Sequence, residues 1–228
     1  MPTPELAVVV GVGAGLGAAL VRCFAAAGMQ VLAAARNAER ASALLSGTGA
    51  RAYACDATNE DEVEALFARI GADAGAPALV VHNPSHFVMK PVLDLTGEDF
   101  VQAWCVACLG GFLVGRAAAR ALLKEGRGTI LFTGSTPSVK AGAEFAAFAA
   151  AKFGVRALAQ SMARELGPKG IHVAHVVVDG PIDSADNAEL KLPKLLPADI
   201  ADAFLALHRQ PRSAWTQELD LRPAGAKF

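Results

Sequence analysis

The sequence predicts an α/β fold, doubly wound, with a mostly parallel seven-stranded sheet and helices on both faces. Short apolar runs alternate with longer helical patterns along the whole chain. That βαβα order builds a parallel sheet through right-handed crossovers. The runs are also rich in Val and Ile without polar alternation, as strands covered on both faces are.

Taken in order, strands are expected at Leu6–Val10, Val31–Ala35, Ala50–Cys55, Leu79–His82, Thr129–Thr133, His172–Val178 and near Trp215–Leu221. The uncharged stretch 6–21, LAVVVGVGAGLGAALV, resembles a signal-peptide core or a membrane span. It is too short to span, follows Glu5 and not a basic region, and contains four glycines. It therefore reads as strand, turn and helix. Asn59 can cap a helix through Val63, Leu66 and Phe67 towards Ile70, and Pro197 suits the first turn of one carrying Ile200, Phe204 and Leu207. The segment Ser184–Leu196 has the least regular pattern and reads as a loop over the site. No repeat or linker divides the chain, so residues 1–228 read as one domain.

Composition narrows the class. The 53% apolar fraction owes much to alanine, which favours close-packed helices over greasy surface. The net charge of −1 is dispersed, with no basic block to argue for nucleic acid or an anionic membrane. The cysteines are Cys23, Cys55, Cys105 and Cys108. The C-x-x-C pair at 105 and 108 raises redox chemistry or zinc, but it lies in an apolar helical stretch without a second pair and reads as buried small residues. No metal site is expected. Without a disulfide framework the expected compartment is the cytoplasm.

Directly after the first strand comes GVGAGLG. Such a turn lets backbone N–H groups approach a pyrophosphate at a helix N-terminus, where the dipole favours negative charge. Two registers are possible, Gly11-x-x-x-Gly15-x-Gly17 and Gly13-x-Gly15-x-x-Ala18; both place phosphate on the same helix, as in a Rossmann fold. At the end of strand two a carboxylate would accept from the ribose hydroxyls of NAD. The chain has Arg36 there, with Arg40 a turn later. An arginine cannot accept those bonds but can grip a 2′-phosphate, which favours NADP, with NAD possible.

Further on, Ser135 ends strand five, and thirteen residues later comes Phe148-Ala-Ala-Ala-Lys152. With these residues the chain resembles the short-chain dehydrogenases/reductases over nearly its whole length. The resemblance selects the first glycine register and implies cofactor contacts from Gly11, Gly15, Leu16 and Gly17. It assigns the adenine to Asp56 and Ala57 after strand three. Of the family's N-N-A-G, His82-Asn83-Pro84-Ser85 keeps only Asn83. Of its P-G-x-I-x-T, the run from Asp179 keeps Gly180, Ile182 and the hydroxyl of Ser184. It also implies a homodimer or homotetramer paired through about Glu98–Lys124 and Glu144–Leu166, with Ala146, Ala147, Ala149, Ala150 and Ala151 letting a neighbouring helix approach.

The catalytic set departs from the family pattern. Ser135 and Lys152 match, but Phe148 stands in the tyrosine position and Ala107 in the position of the relay asparagine. The chain's only tyrosine, Tyr53, lies on strand three. A phenylalanine cannot donate a proton, and losing a positioned general acid costs on the order of 10²–10⁴ in rate. His86 and Glu144 are titratable residues expected near the substrate space. Two functions follow: an NADP-dependent oxidoreductase acting on a small carbonyl or alcohol with another proton source, or a cofactor-binding sensor, regulator or partner subunit without turnover.

Overall fold

The computed structural model describes residues 4–226. Its strands are β1 (Leu6–Val10), β2 (Gln30–Ala35), β3 (Arg51–Ala54), β4 (Leu79–His82), β5 (Gly128–Thr133), β6 (Ile171–Val178) and β7 (Glu218–Leu221). They form one sheet in the order β3-β2-β1-β4-β5-β6-β7, and every pairing is parallel, so the expected "mostly parallel" becomes wholly parallel. β1, β4 and β6 are buried at every residue, which explains why their sequences do not alternate.

The helices are α1 (Leu16–Ala26), α2 (Ala38–Leu44), α3 (Glu60–Ala74), α4 (Gly97–Trp104), α5 (Gly110–Glu125), α6 (Ala146–Leu166) and α7 (Pro197–His208). One core, holding Phe24, Phe204 and Ile200, joins α1, α2 and α7 to one face of the sheet. The other, with Ile70, Leu122 and Phe132, lies under α3, α5 and α6. Asn59 caps α3 as expected, its Oδ1 accepting from Asp61 N and Glu62 N, and Pro197 opens α7; such a cap contributes about 1 kcal/mol. The stretch 6–21 is β1, the glycine turn and the start of α1, and is buried apart from the turn.

Between α4 and α5 the residues Cys105–Leu109 form a π-helical turn, so Gly97–Glu125 is one helical run. By length and composition this run could cross a membrane, but 56% of its apolar window is buried inside the fold. One row of residues crosses the sheet in register from β1 to β7: Val10, His82, Phe132, His175 and Glu218.

The alanines of α6 behave differently from the expectation. Ala147, Ala149 and Ala151 are buried in this chain's own core, so they serve its own packing. The large apolar side chains left exposed on α4, α5 and α6 are Phe100, Val101, Trp104, Phe112, Leu123 and Phe153.

Candidate functional site

The order of the sheet reverses between β1 and β4, and the glycine turn lies there. Gly11 adopts φ 90°, and its N–H, with that of Val12, donates to Ala34 O. A Cβ at Gly11 would stand 2.6 Å from Pro84 N, and one at Gly17 would stand 2.7 Å from Gly11 O. Neither site has room for a side chain. A Cβ at Gly13 would meet nothing within 4 Å, and one at Gly15 only Ser184 Cβ at 4.0 Å. Packing thus requires glycine at 11 and 17 but not at 13, which supports the register Gly11, Gly15, Gly17. The face of the turn at Gly13 and Gly15 stays open beside Leu16, the first residue of α1. That helix has no side-chain cap and no acidic residue in its first turn, so its positive end is uncompensated. An anionic group fits such a cradle.

Around the turn the structure gathers most of the expected binding residues. Asn83 Nδ2 donates to Gly11 O at 2.9 Å, so this amide braces the turn. Arg36 is exposed immediately after β2, and Asn37, not Arg36, caps α2. Asp56 Oδ1 accepts from Thr58 N and Thr58 Oγ1. The Thr58 bonds, helped by the Arg36 charge, hold its carboxyl below the usual range. Ala57 is buried beside it. On the far side of the crevice Gly180 has φ 150°, Ile182 forms an isolated bridge with Leu195, and Ser184 faces Gly15. The segment after β6 therefore begins as a fixed wall before it runs into the expected loop.

The second cluster lies at the end of β5. That strand ends at Thr133, so Ser135 is two residues beyond it and not its last residue. Its backbone N–H donates to Ser138 Oγ, while its own Oγ is buried without a hydrogen-bond partner among the described residues. Lys152, on α6, is buried, and its Nζ donates to Thr133 O at 2.9 Å. Burial pushes its ammonium down to about 8. One turn earlier on the helix the Phe148 ring has its centroid 5.9 Å from Lys152 Nζ. Phe148 meets the Phe87 ring edge-on at 5.3 Å and the Phe145 ring at 6.5 Å, forming an aromatic cluster whose outer ring, Phe87, is exposed.

The two titratable candidates separate. His86 is half-buried two residues before the loop's Val88. Glu144 is exposed at φ 69°, and its carbonyl accepts from Lys90 N, so this residue makes the strained entry to α6. Tyr53 is on β3, separated from β5 by three intervening strands, and donates to Asp73 Oδ2, with Arg69 over its ring. Cys105 and Cys108 are unpaired and lie in the π-helical turn; both are half-buried, less buried than the sequence suggested.

Sequence reasoning missed several polar partners. His82 Nε2 donates to Ala107 O at 3.1 Å, inside the π-helical turn. Burial and then the Lys152 charge push this imidazole down to about 3. Thr136 Oγ1 donates to Asp179 Oδ1 at 2.5 Å, tying the Ser135 segment to the end of β6. Phe87 and Phe145 lie outside every motif. A histidine at the end of a buried strand was the one available signal among these.

The switch-point crevice and its open glycine turn define a doubly wound α/β protein of the nucleotide-binding type. Residues 5–193 match the family model described as short chain dehydrogenase, and the chain belongs to that family. It is 42% identical to a short-chain dehydrogenase from Rhodopseudomonas palustris of known crystal structure, covering 97% of this chain and 100% of that one at a TM-score of 0.82. A metagenomic short-chain oxidoreductase crystallised with NADP is 27% identical, with 96% and 97% covered and a TM-score of 0.84. A D-threitol dehydrogenase of Mycolicibacterium smegmatis is 28% identical over 85% of this chain and 78% of its own length.

Proposed function

We propose that this chain is an NADP(H)-dependent oxidoreductase acting on a small carbonyl or alcohol, with an active site that lacks the usual phenol. The observation that carries the reading is the buried Ser135 Oγ, without a partner among the described residues, two residues beyond the Thr133 carbonyl to which the buried Lys152 ammonium donates. An unmatched buried hydroxyl costs stability, so it gains most from a substrate oxygen that accepts from it. The glycine cradle and the unopposed start of α1 fit the cofactor's pyrophosphate, and the related oxidoreductase crystallised with NADP supports the choice of dinucleotide. Arg36 supports a 2′-phosphate, while Asp56 and Asn83 border the adenosine side.

When bound, the cofactor supplies the hydride. Ser135 polarises the carbonyl by donating a hydrogen bond, and Lys152 holds the nicotinamide ribose hydroxyls. Phe148 occupies the family's tyrosine position, so it excludes water and orients the substrate without moving a proton. The proton for the new hydroxyl comes from water, which also restores any proton relayed through Ser135, with His86 the titratable side chain of the loop after β4. We also propose a cytoplasmic, homo-oligomeric protein. Its four unpaired cysteines support the compartment, and the exposed Phe100, Trp104, Phe112 and Phe153 support pairing.

A second reading, a cofactor-binding protein without turnover, is favoured by Phe148 itself, since its ring is sealed by Phe87 and Phe145. NADPH binding by fluorescence, followed by oxidation at 340 nm against a panel of aldehydes and ketones, separates the two. Binding with turnover supports the oxidoreductase, binding alone the second reading, and no binding removes both.

A further inference from the structure

Three phenylalanines from separate parts of the chain meet beside Lys152. Phe87 lies on the loop after β4, Phe145 stands just before α6, and Phe148 lies in the first turn of that helix. The Phe87 ring meets Phe145 at 5.9 Å and 69° and Phe148 at 5.3 Å and 70°, so it faces both edge-on. Phe148 is buried and Phe145 half-buried, but Phe87, the outer ring, is 64% exposed.

The exposed ring does not sit on a loose segment. Val88, beside it, is buried in the core under α3, α5 and α6. Lys90 N then donates to Glu144 O at 2.9 Å, and Lys90 Nζ donates to both oxygens of Asp99, at 2.9 and 2.7 Å. Asp99 itself belongs to the capping box that starts α4. The Glu144 carbonyl comes from a residue at φ 69°, a left-handed conformation that suits glycine, immediately before Phe145. Backbone strain of this kind concentrates at ligand sites. A large apolar ring held fixed in water is also unfavourable until something covers it.

Chemistry defines what covers it. Rings that meet edge-on leave an edge and a face free to take a further aromatic ring in the same geometry. They give a hydroxyl no conventional partner, so a polyhydroxylated chain would lose its water there without replacement. Through Phe148 the cluster comes within 5.9 Å, centroid to Nζ, of Lys152. The short 3₁₀ turn Thr136–Ser138, directly after Ser135, packs on the same helix. We propose that Phe87, Phe145 and Phe148 form the substrate shelf of this protein, that its substrate is an aryl ketone or the matching benzylic alcohol, and that Phe87 determines this specificity. The aryl group packs on Phe87. In reduction the carbonyl carbon takes the hydride of NADPH and the oxygen a proton from water, giving the alcohol and NADP⁺. That the bound group carries a carbonyl rests on the proposed function; the preference for an aryl group does not.

Binding tests the shelf without turnover. The protein is titrated with acetophenone and with erythrulose, a polyhydroxy ketone, by ligand-observed NMR, with and without saturating NADP⁺, which cannot reduce either. Acetophenone should bind about tenfold more tightly or better, the worth of one aromatic contact. Phe87→Ser should remove about tenfold of that affinity, and Phe87→Tyr, which keeps the ring, should restore it. Circular dichroism checks that both variants fold. Phe87-dependent binding of acetophenone without any oxidation of NADPH would keep the aryl assignment and remove the oxidoreductase reading. Turnover of erythrulose without binding of acetophenone would do the reverse. Absent acetophenone binding, equal affinities for the two ketones, or native affinity in Phe87→Ser would each overturn the shelf. A smaller mass of that variant in light scattering, with native affinity, would assign Phe87 to a contact between copies of this chain.

Discussion

Lys152 and Phe148 face one another across a single turn of α6, ammonium to ring centroid at 5.9 Å. In the proposed reading the lysine stands where it would tune a phenol, and Phe148 brings a ring without the oxygen. Phe148→Tyr should therefore raise carbonyl reduction about tenfold to a thousandfold at saturating NADPH, approaching the usual contribution of a general acid. The ring already fits, so the gain should appear in kcat and not in KM. A variant that binds NADPH normally yet reduces no carbonyl would favour the binding-protein reading.

The glycine turn gives a sharper test that does not depend on activity. Gly17→Ala forces a methyl to 2.7 Å from Gly11 O and 2.8 Å from Val12 Cα, both backbone atoms that cannot yield. It should cost about 2 kcal/mol or more and greatly weaken dinucleotide binding. Gly13→Ala meets nothing within 4 Å and should change Tm little. Thermal melts of the two variants side by side check the register.

Arg36 is exposed immediately after β2 and contributes to lowering the pKa of Asp56, at the end of the crevice proposed for the adenosine. Arg36→Ala should weaken NADPH binding about tenfold to a hundredfold, the worth of charged hydrogen bonds to a phosphate. NADH binding should change by less than about threefold. Equal losses for both dinucleotides would remove the 2′-phosphate role.

Acid should destabilise the fold earlier than its carboxylates alone would. His82 and His175 are buried neutral, pushed down to about 3 and about 4, mainly by desolvation. An unfolded histidine titrates near ~6.5. Between these values the unfolded chain binds more protons, so stability falls as pH drops from about 6.5 towards 4. Each histidine contributes at most about 1.4 kcal/mol per pH unit. Tm measured from pH 7 to pH 4.5 should decline steadily, and a flat profile would show that the histidines gain protons inside the fold.

The exposed apolar side chains of α4 to α6 should lie in a subunit contact. Trp104→Glu should turn an oligomer into monomers at micromolar concentration, as read by light scattering, while the far-ultraviolet circular dichroism is retained. A native protein that is already monomeric would refute the pairing.

Much of this architecture was legible because it is local. The limits of β1 and β4 follow from uninterrupted apolar runs, and the caps at Asn59 and Pro197 from their own chemistry. The glycine spacing carried the first half of the site. What the sequence concealed depends on register across strands. Nothing near His175 announces Glu218, 43 residues later, and only the parallel pairing of β6 with β7 brings them together. Asn83 was read as a cofactor contact because it alone in its segment matches the family motif, whereas its bond to Gly11 O depends on the distant turn. The alanines of α6 divide for a related reason: Ala147, Ala149 and Ala151 are buried in this chain's own core while Ala146 is exposed, and a small residue permits close approach without saying which neighbour approaches.

The π-helical turn at Cys105–Leu109 acts on the helix as an inserted letter acts on a reading frame. An α-helix advances about 100° per residue, so one residue added to a turn re-phases everything after it. Upstream of the turn Ala103 faces the core while Phe100, Val101 and Trp104 face out; downstream Leu113, Val114 and Ala117 face in. The inward stripe runs on through Ala103, Ala107, Gly110, Val114 and Ala117. Deleting one residue within Cys105–Leu109 would restore a regular helix and swing one half by roughly a quarter turn relative to the other. Leu113 would then leave the sheet, and the carbonyl that receives His82 would no longer be presented to it. The helix would survive such an edit, but its alignment with the sheet would not.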